Sequence, residues 1–178
     1  MENIIKNLKS GEISEKIKIL ETLDTANNPE ILEIVISTLD DKNIEVRGEA
    51  YSSLLLNQNK ISDFLINGLS YENLNIRSSI LLILANRNEI TTIPEIMKFV
   101  KDEHSVVRSC ALGALRHLKA IEAKDIFIES LSDCNIEVRK NALQAIVDLK
   151  IMVSEDIIKK NFKERDFEIE KLLASIKK

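Results

Sequence analysis

The chain has 178 residues, with 25 Lys and Arg against 29 Asp and Glu and a formal net charge of −4. That acidic balance, with 4 % aromatic residues and no tryptophan, argues against a nucleic-acid binder, which carries a basic surplus and stacking rings. Hydrophobic residues make up 44 % of the chain, enough for a continuous core, yet the longest apolar run, Ile80 to Ala85, has six residues, far short of the ~20 that cross a membrane.

Apolar residues recur along the chain in pairs four apart, the step of an amphipathic helix. Ile4 and Leu8 precede Ile19 and Leu23; Val35 and Leu39 precede Ala50 and Leu54; Leu65 and Leu69 precede Ile80 and Leu84. The series continues with Ile96 and Val100 before Ala111 and Leu115, then Phe127 and Leu131 before Ala142 and Ile146. It ends with Ile158 and Phe162 before Leu173, where Lys177 breaks the pattern. Between the pairs of each unit stands one polar column: Lys16, Arg47, Arg77, Arg108, Arg139 and Glu170, its arginines spaced 30, 31 and 31 residues apart. A fixed period of this length marks a stack of repeats. The expected fold is all-α: a right-handed α-solenoid, or superhelix, of about six helical hairpins, some 50 Å long with helix layers ~8–10 Å apart. The expected units are 1–26, 27–58, 59–88, 89–119, 120–150 and 151–178, forming a single repeat domain over 1–178. The first and last are atypical: Glu15 and Lys177 replace apolar residues, as capping repeats with one face in water require.

The joints carry their own signals. Asn43, Asn73, His104 and Asn135 stand four before the polar column, where a helix N-cap belongs and where asparagine satisfies an orphan amide. Glu45 and Glu137 follow in the first turn, favoured there by the helix dipole. Pro29 and Pro94 lie near the starts of first helices. Short Ala50, Ala111 and Ala142 leave room for close helix approach.

The stretch Pro94-Glu95-Ile96 through Asp102 and Val107-Arg108, then Cys110-Ala111-Leu112-Gly113-Ala114-Leu115, resembles a HEAT repeat, of the short type found in phycobilisome-lyase-like HEAT proteins. Leu131-Ser132-Asp133 with Val138-Arg139 and Ala142, and Leu39-Asp40-Asp41 with Val46-Arg47 and Ala50, are further copies. The unit around Arg77 departs, with Tyr71 for the aspartate and Ile80 for the alanine. The resemblance implies an aspartate–arginine ladder between neighbouring units, here Asp41, Asp102 and Asp133 with Arg47, Arg77, Arg108 and Arg139. An anion-binding arginine stripe is the alternative, but a carboxylate at a fixed offset favours the structural role.

No phosphate loop, serine-nucleophile motif or HExxH motif occurs. There are no His–Glu pairs of the kind that HEAT-built iron hydroxylases carry, and the two histidines read as a cap (His104) and a solvated side chain (His117). No cofactor or metal is expected, and the chain reads as a non-enzyme. Cys110 and Cys134 lack metal spacing and suggest a reducing compartment; with no membrane span, a cytoplasmic location follows.

On the second helices, the columns +1, +5 and +8 from the arginine point away from the buried stripe. They comprise Gly48, Ser52 and Leu55; Ser78, Leu82 and Ala85; Ser109, Gly113 and Arg116; and Lys140, Gln144 and Val147. Little charge falls on this set, although 30 % of the chain is charged, and exposed apolar residues often mark binding sites. The resemblance places second helices on the concave face. The expected function is a non-catalytic scaffold for another protein, a monomer that grips a partner segment or helix on that face. Two alternatives stand: a phycobilisome-lyase-like cofactor chaperone or lyase, and a weak nucleic-acid binder through Arg87, Arg116 and Lys119, with Arg108 and His117 nearby.

Overall fold

A computed structural model describes residues 2–162 and 167–176. Among the described residues every regular element is helical: α1 Glu2–Ser10, α2 Ile13–Leu20, α3 Pro29–Thr38, α4 Ile44–Leu56, α5 Ser62–Gly68, α6 Leu74–Asn86, α7 Ile93–Lys98, α8 Ser105–His117, α9 Lys124–Ser130, α10 Ile136–Asp148, α11 Glu155–Asn161 and α12 Phe167–Ile176. They pair in chain order into six hairpins, as the period predicts. The chain divides into two compact halves, Met1–Thr92 and Ile93–Lys178. In the N-terminal half α1, α3 and α5 pack in sequence as one layer, and α2, α4 and α6 as the other. In the C-terminal half α8, α10 and α12 pack in sequence, with α7 against α8 and α9 against α10.

The apolar columns are the core. Apart from half-buried Ile4 and Ile19 in the first hairpin, every described member is buried, with Leu65, Ile80, Ala111, Phe127 and Ala142 at 0 % exposure. Lys177 lies outside the described residues. Glu15 is exposed where Val46, Val107 and Val138 of the same column are sealed at 0 %.

The joints account for the arginines. Asn43, Asn73 and Asn135 each accept backbone amides two and three residues on, at 2.8–3.3 Å. Each arginine then reaches back and donates Nη1 to the carbonyl six residues before it: Arg47 to Asp41 at 2.8 Å, Arg77 to Tyr71 at 2.8 Å, Arg108 to Asp102 at 2.9 Å and Arg139 to Asp133 at 2.8 Å. The acceptor five before is shared too, closest at Glu72, 2.6 Å from Arg77. The column therefore closes each hairpin on itself. Because the acceptor is backbone, Tyr71 can replace the aspartate without orphaning Arg77.

The ladder between hairpins is real but selective. Arg108 grips the Asp133 carboxylate of the next hairpin with two bonds of 2.8 Å, and Lys16 makes the equivalent contact to Asp41 at 2.6 Å. Arg47 finds Tyr71 in the acceptor position and donates only to the carbonyls of Asp41 and Lys42. The expectation that a carboxylate satisfies every arginine is corrected: carbonyls of its own hairpin come first.

His104 also departs from expectation. It has the extended backbone of an N-cap, but its side chain makes no cap hydrogen bond, since the ring is longer and stiffer than an asparagine amide. Restoring the common residue with His104→Asn is expected to raise stability by about 1 kcal/mol, or about 2–4 °C in melting temperature. Thermal denaturation followed at 222 nm measures it; no rise would mean the α8 amides are already satisfied.

Second helices end in two ways. Asn88, Lys119 and Lys150 adopt left-handed φ of 56°, 56° and 54°. Each makes a Schellman turn, as in Ala120 N to Leu115 O at 2.9 Å and Lys119 N to Arg116 O at 3.0 Å. Helix α4 has no such turn: its C-cap Asn57 is extended, with φ −57° and ψ 124°. Its carbonyls are taken instead by Arg87 from the next hairpin. Nη1 donates to Leu54, Leu55 and Asn57 at 3.2, 3.2 and 2.6 Å, and Nη2 donates to Asn59 at 2.9 Å. Asn57 does the same one hairpin earlier, donating to Ala26 and Leu23 at 2.8 and 3.3 Å.

Candidate functional site

The outer surface of the second helices follows from the same periodicity. In the N-terminal half Gly48 and Leu82 are exposed, Leu82 at 39 %, while Ser52, Leu55 and Ser78 are half-buried. In the C-terminal half Ser109, Gly113, Arg116, Lys140, Gln144 and Val147 are all half-buried. Ala85 is buried at 3 % exposure and belongs to the core. The reason is angular: column +8 lies about 60° to one side of +5 and turns toward the neighbouring helix, whereas +9 lies about 40° to the other side, facing out. Leu56 at 65 % exposure, Asn86, His117 and Asp148, all in column +9, are exposed. Glu45, Asn75, Val106 and Glu137, seven residues before +5, join them. The apolar columns locate +5, because +3 and +7 lie about 160° to either side of it, but they do not choose between +8 and +9.

Two glycines on this surface have no packing role. A Cβ added at Gly48 or Gly113 would meet nothing within 4 Å. Gly68 in α5 is different: a Cβ there would lie 2.6 Å from Ile80 Cδ1 and 3.1 Å from Ile36 Cγ2, so close helix contact requires it. The serine hydroxyls turn inward, Ser52 Oγ donating to Gly48 O at 3.0 Å and Ser78 Oγ to Leu74 O at 2.7 Å. The α4–α6 surface is therefore low in relief, with leucines standing out of it.

Polar side chains tie adjacent second helices together. Asn86 Nδ2 donates to the Tyr51 hydroxyl and Asn141 Nδ2 to Ser109 Oγ, both at 2.8 Å. Arg116 pairs with Asp148 at 3.0 Å, and Asp148 also accepts from Gln144 at 2.6 Å. Lys140 pairs with Glu168 at 2.9 Å. In the C-terminal half the charges of this surface thus neutralise one another.

The basic patch expected around Arg87, Arg116 and Lys119 does not form as a set of free cations. Arg87 is enclosed by carbonyls and paired to Glu89 at 3.2 Å, Arg116 is paired to Asp148, and Arg108 is committed to Asp133. Lys119 and His117 remain exposed. On the first-helix side a cleft of about 270 Å³ opens beside the Arg108–Asp133 pair, lined also by Val100, Lys101 and Glu129. Lys101 and Glu129 pair at 3.2 Å, so the cleft's charged groups are engaged. Burial pushes the Cys110 thiol above its ordinary range, away from thiolate reactivity. Among the described residues no three His, Cys, Asp or Glu side chains gather as a metal site, and no helix is long and apolar enough to cross a membrane.

Comparison with known proteins agrees with this architecture. The model of HEAT repeats matches residues 62–147. No curated protein matches in sequence. Among solved structures, a TOG domain of crescerin, described as regulating microtubules in the primary cilium, is similar over 100 % of this chain and 89 % of its own, with TM-score 0.63 and 16 % identity. A structure on TOG–tubulin binding specificity is similar over 99 % of this chain and 82 % of its own, with TM-score 0.59 and 17 % identity. A designed armadillo repeat protein in complex with the peptide (KR)4 covers 98 % and 96 %, with TM-score 0.57 and 16 % identity. The arginine-closed hairpins, the layered helices and these likenesses converge: residues 62–147 of this chain match HEAT repeats, and the chain has the helical-repeat fold of the armadillo and TOG structures.

Proposed function

We propose that the chain is a non-catalytic scaffold that binds segments of another protein on the outward faces of its second helices. The observation that carries this reading is the pair of glycines inside α4 and α8, Gly48 exposed and Gly113 half-buried, neither of which any neighbouring atom requires. Glycine in a helix interior costs about 1 kcal/mol relative to alanine, and at Gly48 and Gly113 nothing in the fold asks for it. A bare backbone that a partner's main chain can approach closely is a function that offsets this cost. Exposed Leu56 on α4 and Leu82 on α6 supply apolar contact, and the armadillo structure with its bound peptide is a precedent for the use of such a fold.

Gly48→Ala and Gly113→Ala are each expected to raise stability by about 1 kcal/mol while weakening partner capture. Leu82→Glu and Ser109→Glu are expected to abolish capture with circular dichroism and melting unchanged. Affinity capture from native lysate, comparing each variant with the unaltered chain, is the measurement. If the glutamate variants unfold, these positions are core and the reading fails; if all four variants capture the same partners equally well, the face is not the site.

A further inference from the structure

The two halves treat charge on their outward faces differently. In the C-terminal half Arg116, Asp148, Lys140 and Glu168 are consumed in mutual ion pairs. In the N-terminal half Glu21, Glu45 and Glu49, on α2 and α4, make no ion pair among the described residues. Lys18 is the one cation in the outward columns −2, +1, +2, +5 and +9 of α2, α4 and α6. Glu45 serves the dipole at the start of α4. Glu21 and Glu49 have no such duty: Glu21 stands at the C-cap of α2, where the helix dipole disfavours negative charge, and Glu49 lies within α4. Glu21 and Glu45 are exposed and Glu49 is half-buried; the same helices and α6 carry Leu56, exposed at 65 %, and Leu82 at 39 %, with half-buried Leu55.

We propose that the α2–α4–α6 face takes a short cationic protein segment in which lysines or arginines alternate with large apolar side chains. The proposal rests on the reading above and gives that face its partner chemistry. Apolar side chains cover the leucines, the cations meet Glu21, Glu45 and Glu49, and the low relief at Gly48 admits the segment's backbone. Crossing three helices spaced ~10 Å apart takes about seven extended residues at ~3.3 Å each. The unpaired carboxylates repel an anionic polymer such as a nucleic acid, so a peptide is the partner that fits.

The test uses the full chain and three fluorescent ten-residue peptides in anisotropy titrations: alternating Lys-Leu and Arg-Leu pairs, the same peptide with every cation replaced by Glu, and one with every cation replaced by Ser. Only the basic peptide is expected to bind. Its affinity should fall about tenfold in the double variant Glu21→Gln/Glu49→Gln, fall further as salt rises, and stay unchanged in Glu122→Gln, an exposed acid of the C-terminal half. No binding of the basic peptide at millimolar concentration, or equal binding by the double variant, overturns the proposal. If the serine peptide binds as tightly as the basic one and Leu82→Ser abolishes both, the cationic assignment fails while the face survives. If Leu82→Ser changes no titration, the face reading itself fails.

Discussion

Arg87→Ala is expected to destabilise the chain by about 3 kcal/mol, lowering its melting temperature by about 6–12 °C. The guanidinium donates to four carbonyls at and beyond the end of α4, Leu54, Leu55, Asn57 and Asn59, and pairs with Glu89. Helix α4 has no left-handed turn of its own to satisfy these groups. The Arg87 side chain is only 11 % exposed, so water replaces the lost donors poorly. Arg87→Lys should recover little, because a single ammonium cannot span four acceptors that a planar fork reaches. Urea denaturation gives the stability change, and hydrogen exchange at Leu54–Leu56 should rise in step. A change within about 0.5 kcal/mol, the range of an ordinary surface substitution, would mean that solvent already serves those carbonyls.

Arg87 also shows where a sequence stops being legible. The period, the six hairpins, the asparagine caps and the core columns are all written in side-chain chemistry, and each appears in the structure where the columns place it. The purpose of the arginines is not written there, because their first acceptors are carbonyls that every residue possesses. Arg87 reads as a surface cation for the same reason: nothing in Leu54-Leu55-Leu56-Asn57 announces a helix end lacking a Schellman turn. Lys119 and Lys150 conceal the opposite case, since lysine gives no hint of the left-handed turn that glycine or asparagine would signal. On the second helices, Gly48 and Leu82 are exposed where the helical period places them, and Gly113 is half-buried. The placement of Ala85 failed because a one-residue choice between columns +8 and +9 moves a side chain by about 100°, enough to carry it from solvent to a helix contact.

Arg108→Ala is expected to cost about 2–3 kcal/mol, and the Arg108–Asp133 pair should account for much of the chain's acid sensitivity in its C-terminal half. Two 2.8 Å bonds join the groups, whose side chains are 11 % and 14 % exposed. The Arg108 hydrogen bonds hold the Asp133 carboxyl below its ordinary value of 3.8, with burial opposing and the Asn135 amide assisting. Asp41 shifts the same way: burial works against ionisation, and Lys16 with the Asn43 amide outweighs it. A carboxylate with a folded pKa below its unfolded one contributes stability that is complete above the unfolded value and lost as pH falls through the folded value. The stabilisation is therefore flat at neutral pH and declines below the ordinary value of 3.8. Asp133→Asn should flatten that acid limb while lowering stability at pH 7. Arg108→Ala should cost more at pH 7 than Asp133→Asn, because it also strips donors from the Asp102 and Glu103 carbonyls and leaves a sheltered carboxylate unpaired. A double-mutant cycle at pH 7 isolates the pair itself and should return a coupling of about 1–2 kcal/mol. A coupling near zero, or an acid limb unchanged in Asp133→Asn, would reduce the contact to an incidental one and leave the closure onto its own hairpin as the whole role of Arg108.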